Sequence, residues 1–331
     1  MSERAIRVGI VGMGGFAQNH HKAVAQLERS GRCRLICACD PERESFADRA
    51  RELDFEPRGV RFHDHYLSML DAHRDELDLV TIPTPIPLHA PMHRACVERG
   101  LPVYLEKPPT LSCAEMQEML AVEAGAELAT NVGFNFTAEA ERQALKQRIL
   151  DGEFGRLHTV SILGLTPRPR SYFARAQWAA RLIMDGRLVL DSCFGNAMAH
   201  LVHNVLFWAG SGEVLSWAQV EEVEAELYRA RGIQGFDTCF ARARTSQGPD
   251  ILVAMSHSCE PDIRFRERVH CERATITYSV GHSYRVDWAN GREEAADVAP
   301  ISLTDNIAAY LNYVRGKTDR PLNRLADCSP F

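Results

Sequence analysis

At 331 residues, with 45% apolar and 25% charged side chains, the chain has a globular composition and enough length for two cores. A formal net charge of −6 argues against a nucleic-acid partner, which would call for a basic excess on one face. No run of about 18 apolar residues is long enough to cross a membrane, and MSERAIRVGIVG has no signal-type apolar segment. The ten cysteines are scattered without a CxxC pair, so reduced thiols and a cytoplasmic location are expected.

In chain order, IRVGIVG and CRLICACD read as strands on either side of a helical stretch, FAQNHHKAVAQLERSG, stopped by Gly31. The alternation continues through PERESFADRAREL (helix), DLVTIPTP (strand), LHAPMHRACVERG (helix), VYLEKP (strand), SCAEMQEMLAVEAG (helix) and LATNVGF (strand). Strands this uniformly apolar, spaced by helices, predict right-handed βαβ units and a parallel sheet covered on both faces. After about residue 135 the pattern changes. A helix, EAERQALKQRILDG, and a strand, LHTVSILGL, lead through an arginine-rich connection to a helix around Asn196–Trp208. Strand-like segments separated by turns such as SQGPD and ANGRE follow, which favours antiparallel hairpins, and a last helix lies near DNIAAYLNYVRG. The expected class is α/β: a Rossmann doubly wound parallel sheet over residues 1–134, then an α+β domain with a large, mostly antiparallel open sheet over 135–331.

VGIVGMGGFAQ places Gly12-x-Gly14-x-x-Ala17 where a strand turns into a helix, with Gly15 and Phe16 between. Gly12 permits the turn, Gly14 lets backbone approach a pyrophosphate, and Ala17 lets the helix pack close to the sheet. Asp40, ending the second strand, suits ribose hydroxyls and would repel a 2′-phosphate; no basic side chain follows it until Arg43, so NAD is expected rather than NADP. A plain glycine turn with a capping aspartate is the alternative. VYLEKPPT puts Glu106 and Lys107 at a strand tip, either as a solvated ion pair or as working groups at the carboxyl edge of a parallel sheet. Lys107 as an amine can take or give the proton of a reacting hydroxyl, and partial desolvation beside a cofactor cation would lower its pKa.

With this fingerprint, TPIPLH and EKP in one βαβ series, the sequence resembles the Gfo/Idh/MocA oxidoreductases, which include glucose-fructose oxidoreductase and inositol dehydrogenase. The resemblance implies a nicotinamide-dependent enzyme acting on a carbinol or ketone carbon of a sugar, cyclitol or similar polyol, and an open sheet that builds homodimers or homotetramers. It implies cofactor contacts at Thr84, Pro85 and His89, with Glu106 on the nicotinamide ribose and Lys107 beside the reacting hydroxyl. On GNAMAHLVHNVLFWAG it puts His200 at the position of the family's substrate-contacting histidine, while Asn196 and His203 stand where acids are usual. Asn196 and His200, four apart on one helix, share a face, and a carboxylate from Asp191 is a candidate replacement. Lys107, His200 and Asn196 are therefore the candidate catalytic residues, with Asn135, Tyr172, Trp178 and His203 as candidate substrate contacts. Thr137 occupies the position of a family arginine, and RPRSYFARAQW is either a substrate-facing loop or a subunit contact. His63 with His65, His200 with His203, and Cys37 with Cys39 each supply only two ligands, so no metal is expected. Two other functions fit the same motifs: a redox-assisted lyase or glycosidase with tightly held NAD, and a non-catalytic NAD-binding regulator.

Overall fold

A computed structural model describes residues 4–331 apart from Asp185, Pro261 and Pro330. The chain divides into two compact units, one running through Gly133 and joined by Ser302–Ala326, the other Phe134–Ile301 with Asp327–Phe331.

In the first unit the short apolar runs pair side by side because each needs burial on both faces. Strands β1 (Ile6–Val11), β2 (Cys33–Cys39), β3 (Arg61–His63), β4 (Leu79–Ile82), β5 (Val103–Leu105) and β6 (Asn131–Val132) form a wholly parallel sheet in the order β3-β2-β1-β4-β5-β6. Helices α1 (Ala17–Arg29), α2 (Ala47–Glu52), α3 (Phe55–Arg58), α4 (Tyr66–Ala72), α5 (His89–Val97) and α6 (Cys113–Glu123) make the connections. The strand order reverses between β1 and β4, the point at which such sheets open a crevice at their carboxyl ends.

The second unit starts with α7 (Ala140–Leu150), β7 (Leu157–Leu165) and the single turn α8 (Arg170–Phe173), then the small pair β8 (Ile183–Met184) and β9 (Arg187–Leu188). A π-turn at Cys193–Ala197 leads into α9 (Ala199–Ala209). Seven strands follow: β10 (Val220–Tyr228), β11 (Thr238–Thr245), β12 (Asp250–Ser256), β13 (Ile263–Cys271), β14 (Ala274–Ser279), β15 (Ser283–Trp288) and β16 (Glu293–Asp297). With β7 they form an eight-stranded sheet, β10-β11-β12-β7-β13-β14-β15-β16, antiparallel except for β7 against β12. Helix α9 fills the core over this sheet, with ten of its eleven residues buried; His200 is the exception.

A charged network lies inside this core. Arg142 on α7, fully buried, donates to Glu139 at 3.0 Å and to Glu267 on β13 at 2.5 Å. Glu267 also accepts from Asn204 at 2.7 Å and from the Trp208 indole at 2.6 Å, and Tyr278 donates to Glu139 at 3.0 Å. Buried charges persist when each has partners of this kind.

The placement of the last helix differs from the sequence expectation. The last helix, α10 (Leu303–Val314), belongs to the first unit rather than the second. Ile307, Tyr310 and Leu311 complete the first core, and Arg32 donates to Ala308 O and Asn312 Oδ1, both at 2.9 Å. Its periodicity identified a helix with an apolar stripe but could not say which of two cores that stripe would fill.

Candidate functional site

After β1 the backbone reverses at Gly12 (φ 112°) and Gly15 (φ 51°), where a side chain would be strained. A Cβ on Gly12 would lie 3.5 Å from the Ala17 Cβ and 3.8 Å from Thr84 Cγ2, so turn, helix and the loop after β4 close around this glycine. A Cβ on Gly14 would meet the Phe46 ring at 3.1 Å, and the Arg49 guanidinium stacks 5.1 Å from the same ring. Helix α1 has no side-chain cap at Phe16 and no acid in its first turn, so its positive end is left for an external anion. Asp40 accepts from Met13 N at 2.8 Å and Glu42 N at 3.0 Å; it shapes the loop and keeps lone pairs for ribose hydroxyls. Two positive-φ glycines, an uncapped helix end and an acid at the end of β2 fit a nicotinamide dinucleotide.

His20 and His21, neither singled out by the sequence, support this turn from inside α1. His21 meets Gly12 O at 3.0 Å, and burial pulls its pKa down to about 4. His20 meets Glu106 Oε1 at 2.9 Å, both buried. The second Glu106 oxygen accepts from Lys107 N at 3.1 Å. Burial works to raise the Glu106 pKa, but the His20 bond and the Lys107 charge hold it below the ordinary value. Lys107 itself is half-buried, and its bond to Pro108 is cis. His89 is wholly buried and bridges Pro108 O at 2.9 Å and Thr84 O at 2.8 Å. Thr84 is half-buried and Pro85 exposed, so His89 ties the TPIPLH loop to the EKPP loop while its neighbours face outward.

The remaining candidates lie in the second unit. The reading of Asn196 and His200 as a pair on one continuous helix is corrected here: Asn196 sits in the π-turn, and the chain is non-helical at Met198 (φ −110°, ψ 17°) before α9 begins. What joins them to chemistry is different. Asn196 Nδ2 donates to Asp191 Oδ1 at 2.7 Å, so a carboxylate does stand against the amide, supplied from five residues upstream. Half-buried His200 packs edge-on to Phe134 (5.7 Å) and against Phe136 (4.8 Å). His203 is fully buried, stacked on Phe134 at 4.0 Å with the Trp217 indole 3.4 Å from Nδ1, and burial holds its pKa well below the usual range. That is the environment of a core histidine. Asn135 is half-buried in the 3-10 turn Asn135–Ala138, beside buried Thr137. Half-buried Tyr172 and Trp178 both stack on Arg175, at 3.9 and 4.7 Å. Among the described residues no three His, Cys, Asp or Glu side chains form a metal-binding group.

Residues 6–134 match the Gfo/Idh/MocA family, described as oxidoreductases with an NAD-binding Rossmann fold. An inositol 2-dehydrogenase of Saccharopolyspora erythraea is 30% identical over 158 residues, which are 47% of this chain and 44% of the relative. The chain therefore matches less than half the length of that relative. Among solved structures, the WlbA dehydrogenase of Bordetella pertussis, in complex with NADH and UDP-GlcNAcA, aligns with a TM-score of 0.76 at 24% identity over 99% of this chain and 93% of that one. A super-repressor mutant of Gal80p from Saccharomyces cerevisiae aligns at 0.77 with 12% identity over 98% and 92%. At these identities the likeness is one of fold, and it spans proteins as different as a dehydrogenase and a repressor. The glycine turn and the EKP strand both lie inside the segment, residues 6–134, that matches the Gfo/Idh/MocA oxidoreductase model with its NAD-binding Rossmann fold.

Proposed function

We propose that the protein is an NAD-dependent dehydrogenase or ketoreductase acting on a carbinol or ketone carbon of a sugar, cyclitol or related polyol. The observation that carries this reading is the end of β5, where half-buried Lys107 follows a buried carboxylate at the carboxyl edge of the dinucleotide-binding sheet. Bound NAD supplies the acceptor for the hydride. Lys107 takes the hydroxyl proton in the oxidising direction and returns it in the reducing one. Glu106, anchored by His20, holds the Lys107 backbone and balances its charge. His200 acts as the second proton-handling group, with Asn196 and Asp191 ordering the polypeptide before it. The carboxylate of Asp40 favours NAD over NADP.

The open face of the large sheet, where Tyr228, Phe240 and Leu252 lie on one side, supports assembly into a homodimer or homotetramer. Ten cysteines present as thiols support a cytoplasmic location. No helix among the described residues is long and apolar enough to cross a membrane.

The test is NADH formation by the full chain on a panel of sugars, cyclitols and sugar acids. Lys107→Ala is expected to lower kcat by about 10²–10⁴-fold with NAD affinity intact. Absence of NADH with every substrate, in wild type as in the variant, would sink the dehydrogenase reading. Substrate consumed without net NADH would favour the redox-assisted lyase.

A further inference from the structure

The connection from β7 to the π-turn gathers three guanidinium groups around two aromatic rings. The guanidinium carbons of Arg168 and Arg175 both stand over Tyr172, 4.6 and 3.9 Å from its ring centre. Arg231, arriving from the loop after β10, lies 5.2 Å over Phe173 and donates to Arg168 O at 3.0 Å. His257, just beyond β12, packs edge-on to Tyr172 at 5.7 Å and Phe173 at 6.4 Å.

The two carboxylates within this cluster are already engaged. Asp237 accepts from the backbone N–H groups of Ala230 and Arg231, at 3.1 and 3.2 Å, and stands 3.6 Å from Arg231 Nη1. Asp191 accepts from Ala180 N at 2.5 Å and from Asn196 at 2.7 Å. Three arginines against two aspartates leave a positive excess. Two N–H groups of the cluster are also buried without a hydrogen-bond partner, Arg168 Nε and Arg231 Nη1, the latter 3.6 Å from Asp237. His257 is buried beside them, its Nδ1–H donating to Thr166 O at 2.9 Å. Buried N–H donors left in this state are costly, and an acceptor that reaches them removes that cost. Carboxylate and phosphate oxygens are the acceptors that guanidinium groups match best. The cluster also adjoins the candidate catalytic residues of its unit: Arg175 stands 3.7 Å from Asp191, which is bonded to Asn196, four positions before His200.

We propose that Arg168, Arg175 and Arg231 bind an anionic group of the substrate, a carboxylate or a phosphate, so that the polyol acted upon is an acidic sugar rather than a neutral one. The word substrate rests on the dehydrogenase reading; the anion site does not.

Calorimetric binding to the NAD-loaded full chain tests both parts. Glucose, galactose and mannose are compared with their uronates and their 6-phosphates, the two anion sets separating carboxylate from phosphate. At least one anion is expected to bind tenfold or more tightly than its neutral parent. Arg175→Gln, at a solvent-facing side chain, is expected to cut that preference at least fivefold without changing NAD affinity or the unfolding midpoint, and Arg168→Gln provides an independent second variant. Equal binding of neutral and anionic forms, no binding of any anion, or a preference that survives in both variants overturns the site. NADH measured in parallel separates the two readings. Anion preference without NADH formation sinks the dehydrogenase and leaves the site; turnover indifferent to anionic groups does the reverse.

Discussion

Glu106 is a carboxylate with only 7% of its surface open, held in place by the His20 ring and the Lys107 backbone. Desolvation alone would neutralise it, and the His20 bond and the charge of Lys107 outweigh that effect, so its pKa falls below the ordinary carboxylate value. A depressed acid stabilises the fold above its unfolded-state pKa, and that contribution disappears as pH falls through the folded value. From about pH 5 to about pH 3 the unfolding midpoint of wild type should therefore drop further than that of Glu106→Gln, which has no such proton to take up. Parallel midpoints for the two proteins would show that Glu106 carries no such charge in the fold. At this scale the glycine turn, Asp40 and Lys107 were legible in the sequence, because turn conformations and strand ends are local properties. The His20–Glu106 bond was not, since it joins residues 86 positions apart.

At the scale of elements, α7 is fastened to β13 and β14 by ionic hydrogen bonds rather than by apolar packing alone. Arg142 serves two buried carboxylates, Glu139 and Glu267. Arg142→Met fills much of the space but leaves both acids without their cation, and the cost expected for breaking a buried pair from one side is about 3–5 kcal/mol. Urea unfolding measures it; a loss under about 1 kcal/mol would mean the acids take up protons and the network contributes little. Element boundaries also explain why Asn196 stands outside α9. The apolar spacing around Asn196–Trp208 is helical, and nothing in it announces the π-turn, because the extra residue is accommodated by Asp191 and the Ser192 cap, whose side chain accepts from Gly195 N at 2.9 Å. Asn196 consequently answers to Asp191 and not to the periodicity of α9.

Over the whole molecule, burial of histidines makes the fold sensitive to acid. Burial lowers the pKa of both His21 and His93 to about 4, and each has a buried Nδ1 without a hydrogen-bond partner, so a second ring proton would have nowhere to bond. Between about pH 6.5 and about pH 4 the unfolded chain binds protons that the folded chain refuses, so stability falls as pH is lowered through that window, by at most about 3 kcal/mol per histidine. Denaturant unfolding at pH 7 and about pH 5 should register the decline, and a His21→Gln, His93→Gln double variant should flatten it; wild-type stability constant over this range would contradict the assignment.

The sequence by itself determined the alternation of strands and helices, the parallel first sheet and mostly antiparallel second one, and the glycine turn after β1. These follow from periodicities of two and 3.6 residues and from turn chemistry, which neighbouring residues encode. Cys37 and Cys39 likewise pack as small apolar groups on β2, both fully buried. Only the tertiary structure decided which core α10 completes, that His20 anchors Glu106, that His203 is walled in by Phe134 and Trp217, and that Asp191 supplies a carboxylate to Asn196. Each of these depends on desolvation and on hydrogen bonds between segments far apart or in unanticipated register, and a charge or a ring has no defined energy until folding sets its surroundings.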